Sequence, residues 1–373
     1  MQYRDFGKTG VKVSALGFGT MRFPLLKGDQ VDEQRVIAML RHAIDEGLNY
    51  VDTAYTYHLE ESERIVGKAL QDGYRGKTYL ATKCPVWKLE KEEDFEKVLD
   101  EQLEKLQTDH IDFYLLHSLN RERFEENVKK LHLEKHLEKA RDAGKIKYLG
   151  FSFHDSYDVF LDLLDYYDGW DFCQIQYNYV DLDHQAGRRG LKEAASRGLG
   201  VVIMEPMLGG RLADPAPHVK KAFPKGKSPV EYAFDFLWDQ PEVSLLLSGM
   251  SDEAQVEENL AFADRSYVGM VTEEERDAYK EAKRIFDSMA LVGCTACRYC
   301  MPCPFGLEIP DIFSYYNMTA AHREEEAKEG YRKLTVKADG CKACHHCEKE
   351  CPQMIKISQM MPEAAKVFAR LGT

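Results

Sequence analysis

Basic residues are in deficit. Fifty Lys and Arg stand against 63 Asp and Glu, a formal net charge of -13 over 373 residues. A surface of that sign is unsuited to general nucleic-acid or anionic-membrane binding. Long apolar runs are missing too, and no stretch approaches the roughly 18 residues of a membrane span. Met1-Gln2-Tyr3-Arg4-Asp5 leads straight into polar sequence with no apolar h-region. No signal peptide is expected, and the chain reads as cytoplasmic with neither nucleic acid nor membrane as partner. The glycine-rich phosphate loop of a doubly wound sheet is incomplete. Gly17-Phe18-Gly19 has no third glycine and no helix start behind it, which disfavours an open dinucleotide-binding sheet. Cysteine is scarce over most of the chain, where Cys84 and Cys173 read as buried packing residues. The other eight of the ten cysteines crowd into residues 294–351. In a reducing compartment such crowding means metal or redox chemistry rather than structural disulfides.

What is present is a globular composition, 44% hydrophobic, with a regular alternation of elements. Turn signals at Gly7-Lys8-Thr9-Gly10 predict a hairpin over 1–14. Buried strands are then expected at 14–20, 50–51, 78–82, 111–116, 146–151, 172–176, 200–204 and 243–247. Helices are expected near 31–46, 61–71, 90–106, 128–143, 156–167, 186–197, 230–238, 252–262 and 272–288. The segment 205–228 reads as a Pro- and Gly-rich loop. Eight strands alternating with helices over about 270 residues predict a (β/α)8 barrel, the TIM barrel of the α/β class. The expected division is a barrel over 1–271, a connecting helix over 272–290 and a C-terminal domain over 291–373.

Four ionisable side chains fall at or just after predicted strand ends, the face of such a barrel where chemistry is done. They are Asp52, Tyr57, Lys83 and His117. A phenol with a pKa near ~10 gives up a proton more readily beside a buried ammonium. Asp52 can hold Lys83 charged and placed, and His117 can orient a carbonyl oxygen. Such a set protonates an oxyanion as hydride reaches carbon, or runs the reverse. Singly, each residue is ordinary: a cap, a rim phenol, a surface pair, a satisfied histidine. Their shared placement carries the reading. His154, Asp155 and His184 fall on loops of the same face and read as rim residues or substrate contacts. Trp87 reads as pocket lining or loop packing.

These residues with their flanks resemble the catalytic tetrad of the aldo-keto reductase family, in its iron–sulfur, ferredoxin-fused bacterial branch. The family's Asp-Thr-Ala-x-x-Tyr stands at Asp52-Thr53-Ala54-Tyr55-Thr56-Tyr57, its Thr-Lys at Thr82-Lys83 and its Leu-Leu-His at Leu115-Leu116-His117. The resemblance covers roughly residues 1–290. It implies NADP(H) or NAD(H) as cofactor and an aldehyde, ketone or alcohol as small-molecule substrate. It carries nicotinamide contacts onto Ser152 and Gln174. Residues 249–259 resemble an adenosine-binding segment of bacterial and channel β-subunit-like members, with Ser251, Gln255, Glu258 and Asn259 as contacts. Three departures stand out. The family's Asn beside the serine is Phe153, the stacking aromatic falls at Met204, and the Lys and Arg that hold a 2′-phosphate fall at Gly249 and Gln255.

The cysteines form two runs. Cys294-x-x-Cys297-x-x-Cys300-x-x-Cys303-Pro304 is followed by Cys341-x-x-Cys344-x-x-Cys347-x-x-x-Cys351-Pro352. The second has the spacing of bacterial ferredoxins, in which three close thiolates bind one [4Fe–4S] cluster and the fourth, before proline, ligates the other. By that logic Cys294, Cys297, Cys300 and Cys351 hold one cluster, and Cys341, Cys344, Cys347 and Cys303 the other. Zinc is the alternative for paired Cys-x-x-Cys motifs. Helical sequence over 311–331, between the runs, resembles helical dicluster ferredoxins. His345 and His346 read as solvent-exposed or as tuning a cluster by hydrogen bonding.

The expected activity is nicotinamide-linked carbonyl reduction or alcohol oxidation, with two [4Fe–4S] clusters for electron exchange. Two other readings stay open: an electron-transfer enzyme served by a redox partner protein, and a redox-sensing regulatory protein with a channel-β-subunit-like barrel.

Overall fold

The computed structural model describes residues 1–26, 30–289, 292–321 and 323–373. The chain divides into two compact units, one of residues 1–206 with 234–270, the other of 207–233 with 271–373. The expected boundary at 290/291 lies outside the described residues. The segment 207–233, which takes in most of the loop expected over 205–228 and the start of the helix expected over 230–238, groups with the C-terminal residues.

The first unit opens with a hairpin of β1 (Tyr3–Asp5) and β2 (Lys12–Ser14). Eight parallel strands follow and close into a barrel: β3 (Leu16–Gly19), β4 (Tyr50–Asp52), β5 (Tyr79–Cys84), β6 (Ile111–Leu119), β7 (Ile146–Phe153), β8 (Phe172–Gln176), β9 (Gly200–Met204) and β10 (Leu245–Gly249), with β10 pairing back to β3. All nine residues of β6 are buried, because a parallel barrel strand is covered by side chains inside and helices outside. The last strand begins two residues later than the apolar run suggested, at Leu245.

Local chemistry sets the helix boundaries. In α1 (Glu33–Asp45) Asp32 accepts from the Arg35 amide as N-cap, and Val36, Met39, Leu40, Ala43 and Ile44 form the buried stripe. Gly47 then takes φ +96°, which ends the helix. The hairpin plugs the N-terminal end of the barrel. The Phe6 ring lies 4.6 Å from Phe113 and 5.5 Å from Phe172. It fills the space a Cβ on Gly200 would need, at 2.5 Å. With that end closed by aromatic packing, the C-terminal mouth is left for polar side chains.

In the second unit α2 (Ile309–Ala320), α3 (Glu324–Lys333) and α4 (Ile357–Arg370) enclose a small core that includes Leu307, Ile312, Phe313, Met361 and Phe368. The single helical stretch expected over 311–331 is two helices, with His322 outside the described residues. Tyr331 stacks on Phe368 at 3.7 Å and accepts from the Ala338 amide. Lys337 donates to the carbonyls of Tyr331, Arg332 and Leu334, closing the C-terminal end of α3 as a cation at a helix terminus does. Among the described residues no helix is long and apolar enough to cross a membrane.

Candidate active site and cysteine centre

The barrel brings the four strand-end residues together. Asp52 ends β4, Lys83 sits near the end of β5, His117 lies on β6, and Tyr57 stands on the turn after β4. Lys83 Nζ donates to Asp52 Oδ1 at 2.6 Å, to the Thr53 carbonyl at 2.7 Å and to the Tyr57 hydroxyl at 3.3 Å. The imidazole of His117 meets the Tyr57 ring edge-on at 6.1 Å. All four side chains are buried. Burial pushes Lys83 below the ordinary ammonium value and Asp52 above the ordinary carboxylate value, and their mutual contact opposes both shifts. His117 is driven well below the usual imidazole value, by burial first and then by the charges of Lys83 and Arg123. It is therefore a neutral imidazole near pH 7.

The rest of the mouth is built around that histidine. Trp87 packs 5.2 Å from it, and Arg123 lies over the indole at 4.2 Å while donating to the Ser118 carbonyl. His154 is held down at about 3, chiefly by burial and next by Arg123. Asp155 accepts from the Arg121 and Ser156 amides, so it acts as a backbone tie. Cys84 and Cys173 are buried, with both thiols pushed up by burial.

The depressed His154 makes the barrel acid-sensitive. As pH falls below ~6.5 the unfolded chain takes up a proton that folded His154 refuses, so stability declines from there toward about 3. Between pH 7 and 5 this should remove up to about 2 kcal/mol. Urea unfolding at both pH values should show that His154→Gln narrows the difference, the remainder belonging to buried His117, which is depressed in the same direction. An unchanged difference would mean other groups carry it.

A feature the sequence reading missed lies just behind the tetrad. Ser62 and Glu63 are buried at the start of the helix Ser62–Ala69. The Ser62 hydroxyl lies 2.8 Å from Thr53 Oγ1 and 2.9 Å from Thr20 Oγ1. Glu63 Oε1 accepts from Thr82 Oγ1 and from Gln102 Nε2, each at 2.6 Å, and Gln102 also reaches the Lys83 carbonyl at 3.1 Å. Thr53 follows Asp52 and Thr82 precedes Lys83. One dipeptide thus ties the strand ends that carry the ion pair. The signal was a Ser-Glu pair heading an amphipathic helix, which reads as an ordinary helix start. Glu63→Ala leaves the buried Thr82 hydroxyl without its acceptor and Gln102 Nε2 with longer contacts to the Lys83 carbonyl and Thr82 Oγ1, at about 1–3 kcal/mol. It should lower kcat about 10²-fold through misplaced Lys83, whereas Glu63→Gln keeps the accepting oxygen and most of the activity. Unfolding and steady-state kinetics on both variants check this, and an active Glu63→Ala enzyme would contradict it.

The residues expected to meet a nucleotide lie on β7, β8, β10 and the segment beyond β10. Ser152 is buried and its hydroxyl accepts from the Ser118 amide. Gln174 donates to the Met204 sulfur at 3.7 Å, and its buried Oε1 has no hydrogen-bond partner among the described residues. An orphaned buried carbonyl at the inner end of the mouth fits a ligand that brings an N–H donor, as a carboxamide does. Phe153 packs outward on Phe160 at 5.1 Å, which explains why no polar residue is needed there. Ser251 donates through its hydroxyl to the Arg22 carbonyl and through its amide to Gln255. Gln255 bonds Asp252, Asn259 donates to Ser248, and Glu258 is exposed. A Cβ on Gly249 would fall 2.5 Å from Arg22 Cγ. The arginine stem thus covers the place where the Lys of the resembling proteins would stand.

The eight clustered cysteines line two small cavities. Cys294, Cys297, Cys300 and Cys351 line the first, and Cys303, Cys341, Cys344 and Cys347 the second. The grouping crosses between the runs. Among the described residues no three His, Cys, Asp or Glu are drawn round one point as a single ion requires. Both runs fold alike. Ala296 and Arg298 in the first, and Ala343 and His345 in the second, take positive φ at equivalent positions. A left-handed conformation costs a non-glycine residue about 1 kcal/mol or more and persists at ligand clamps. It turns backbone amides toward the sulfurs, and the Ala296 amide donates to Cys294 Sγ at 3.4 Å. Four sulfurs around a volume, served by amides, fit a cubane better than one ion.

Fold and site define a (β/α)8 barrel with a buried Asp–Lys–Tyr contact at its mouth, in a chain that also carries a cysteine-lined unit. Residues 15–274 match the sequence model of the Aldo/keto reductase family and residues 293–356 that of a 4Fe-4S dicluster domain. The chain belongs to the aldo/keto reductase family and carries a 4Fe-4S dicluster domain at its C-terminal end. It is 30% identical over 283 residues to the L-galactose dehydrogenase of Arabidopsis thaliana, which covers 70% of this chain and 88% of that protein. The holo form of an aldo-keto reductase from Bacillus halodurans shares the fold, with a TM-score of 0.64 at 24% identity over 76% of this chain and 96% of that one.

Proposed function

We propose that the barrel reduces an aldehyde or ketone with a nicotinamide cofactor, or oxidises the corresponding alcohol, and that the C-terminal unit holds two [4Fe–4S] clusters for one-electron exchange. The observation that carries the first half is the three-way contact of Lys83 with Asp52, Thr53 and Tyr57 beside a neutral His117. The crossed cysteine grouping around two cavities supports the second.

The nicotinamide, when bound, supplies the hydride; Gln174 Oε1 and Ser152 would hold its carboxamide. The chain's own residues manage the proton. Lys83 donates to the Tyr57 oxygen and favours the phenolate, which makes Tyr57 the acid for the substrate oxygen. Asp52 and the Thr53 carbonyl fix the ammonium against burial. His117, neutral, orients the carbonyl by donating a hydrogen bond to its oxygen and brings no charge that would compete with the proton from Tyr57. The clusters would supply single electrons, each bound through four thiolates, with Cys351 and Cys303 exchanged between the runs.

Arg22 is the cation we assign to a 2′-phosphate. Arg22→Ala should raise KM for NADPH about tenfold, the scale of one charge-assisted contact, and leave KM for NADH nearly unchanged. Equal effects on both cofactors would remove this role. The function is tested by anaerobic purification, iron and sulfide analysis, and assay of nicotinamide oxidation against a panel of aldehydes and ketones. Carbonyl-dependent turnover by iron-loaded protein is the expected result. Iron-loaded protein that oxidises no nicotinamide with any carbonyl would count against the barrel's role.

A further inference from the structure

We propose that the two cysteine sets are unequal, and that the rim of the second is a docking site for an acidic one-electron carrier protein. This rests on the reading that each set holds an iron–sulfur cluster.

The first observation is exposure. Cys344 is exposed, whereas the other seven cysteines of the module are half-buried. It stands in a row of five exposed residues, Lys342 to His346. Phe305, which lines the same cavity, is 44% exposed. The first cavity is walled instead by buried Thr295, Pro310 and Phe313, with Arg298 as its exposed member. Ile309 and Ile357 line both cavities. The sets are therefore neighbours across two buried aliphatic side chains, and the second, with Cys344 at its edge, is the outer of the two by side-chain exposure.

The second observation is charge. Lys328, Lys333 and Lys366 of this unit pair with Glu325, Glu329 and Glu363. Lys342, Lys349 and Lys356 are exposed and enter no ion pair among the described residues. Glu348, which could offset them, is turned inward, accepting from the Ser358 amide and hydroxyl and bonding His345. Asp339 is the exposed acid of the segment. On a chain of net charge -13, uncompensated lysines gather at the segment with the most exposed thiol, beside an exposed aromatic ring. Complementary charge steers encounter and fixes register, so the fitting partner is acidic. A reduced carrier would lose one electron at this rim, the outer set's cluster would gain it, and the electron would pass on to the inner set. No atoms move in either step.

The test uses the full chain, purified anaerobically and reduced, and hexacyanoferrate(III) as an anionic one-electron probe. Bleaching of the visible band is followed by stopped flow. Lys342→Glu/Lys349→Glu/Lys356→Glu should slow the reaction about tenfold at low salt and much less at ~0.5 M salt. The charge-matched Lys91→Glu/Lys135→Glu/Lys192→Glu, at exposed barrel sites, should slow it far less. Equal slowing by the two triple variants overturns the port while leaving the clusters in place. A chain that binds no iron overturns the cluster reading and the port with it. Iron content of about eight per chain in all three proteins separates these results.

Discussion

Tyr57→Phe is expected to lower kcat about 10³-fold while nicotinamide binding stays within a factor of about two. The substitution removes one oxygen from a buried ring and leaves the Lys83–Asp52 contact at 2.6 Å untouched. What disappears is the group that gives a proton to the substrate oxygen and accepts from Lys83 at 3.3 Å. Lys83→Met should be as damaging for a different reason, since it leaves Asp52 as a buried carboxylate without its cation. The two differ in stability: Tyr57→Phe should melt like the wild type, whereas Lys83→Met should be destabilised by about 3 kcal/mol or more. Cofactor fluorescence titration with single-turnover kinetics checks the first claim. Full turnover by Tyr57→Phe would remove Tyr57 from the proton path.

The second large effect concerns the crossed thiolates. Cys351 lies in the second run but lines the first cavity, and Cys303 does the reverse. Losing one thiolate should cost one cluster, about four of about eight irons. The pattern of double variants then tells which cysteines share a set. Cys294→Ala/Cys351→Ala should lose no more iron than Cys294→Ala alone, because both cysteines serve one cluster. Cys294→Ala/Cys303→Ala, in the same run, should lose nearly all of it. If each run held its own cluster, the two double variants would exchange behaviour. This non-additivity is a double-mutant cycle read in iron rather than in energy. Metal analysis and electron paramagnetic resonance of the reduced proteins are sufficient to read it.

The barrel was legible because its strands are apolar throughout and separated by amphipathic helices; the nine buried residues of β6 are a clear instance. The placement of Asp52, Tyr57, Lys83 and His117 was legible because a side chain at the end of a parallel strand has one place to go. Ser62 and Glu63 were not, because their partners Thr53, Thr82 and Gln102 are far apart in sequence and ordinary in type. The covering of Gly249 by Arg22 was hidden for the same reason: a gap in one motif is met by a residue more than 200 positions earlier. The stretch 205–228 looked like a barrel loop because it follows β9, yet 207–233 forms part of the other unit. It groups with the C-terminal unit through contacts no periodicity reports, such as the Gly209 backbone against Thr295, where a Cβ would lie 2.4 Å from the carbonyl oxygen. The cysteine spacing showed that two runs exist, but the exposure of Cys344 depends on how the chain packs around Phe305 and Ile357.

Iron–sulfur clusters move single electrons and a nicotinamide moves a hydride, so the central claim is that carbonyl reduction in the barrel proceeds without the clusters. Isotope transfer tests it most directly. The enzyme is supplied anaerobically with nicotinamide deuterated on the transferred face at C4 and a carbonyl it reduces, in ordinary water, and the alcohol is read by mass spectrometry. The account predicts one deuterium on the former carbonyl carbon in essentially every product molecule. Alcohol that carries solvent hydrogen at that carbon, formed only while the clusters are reduced, would contradict it and place the electrons of the reaction on the iron–sulfur path.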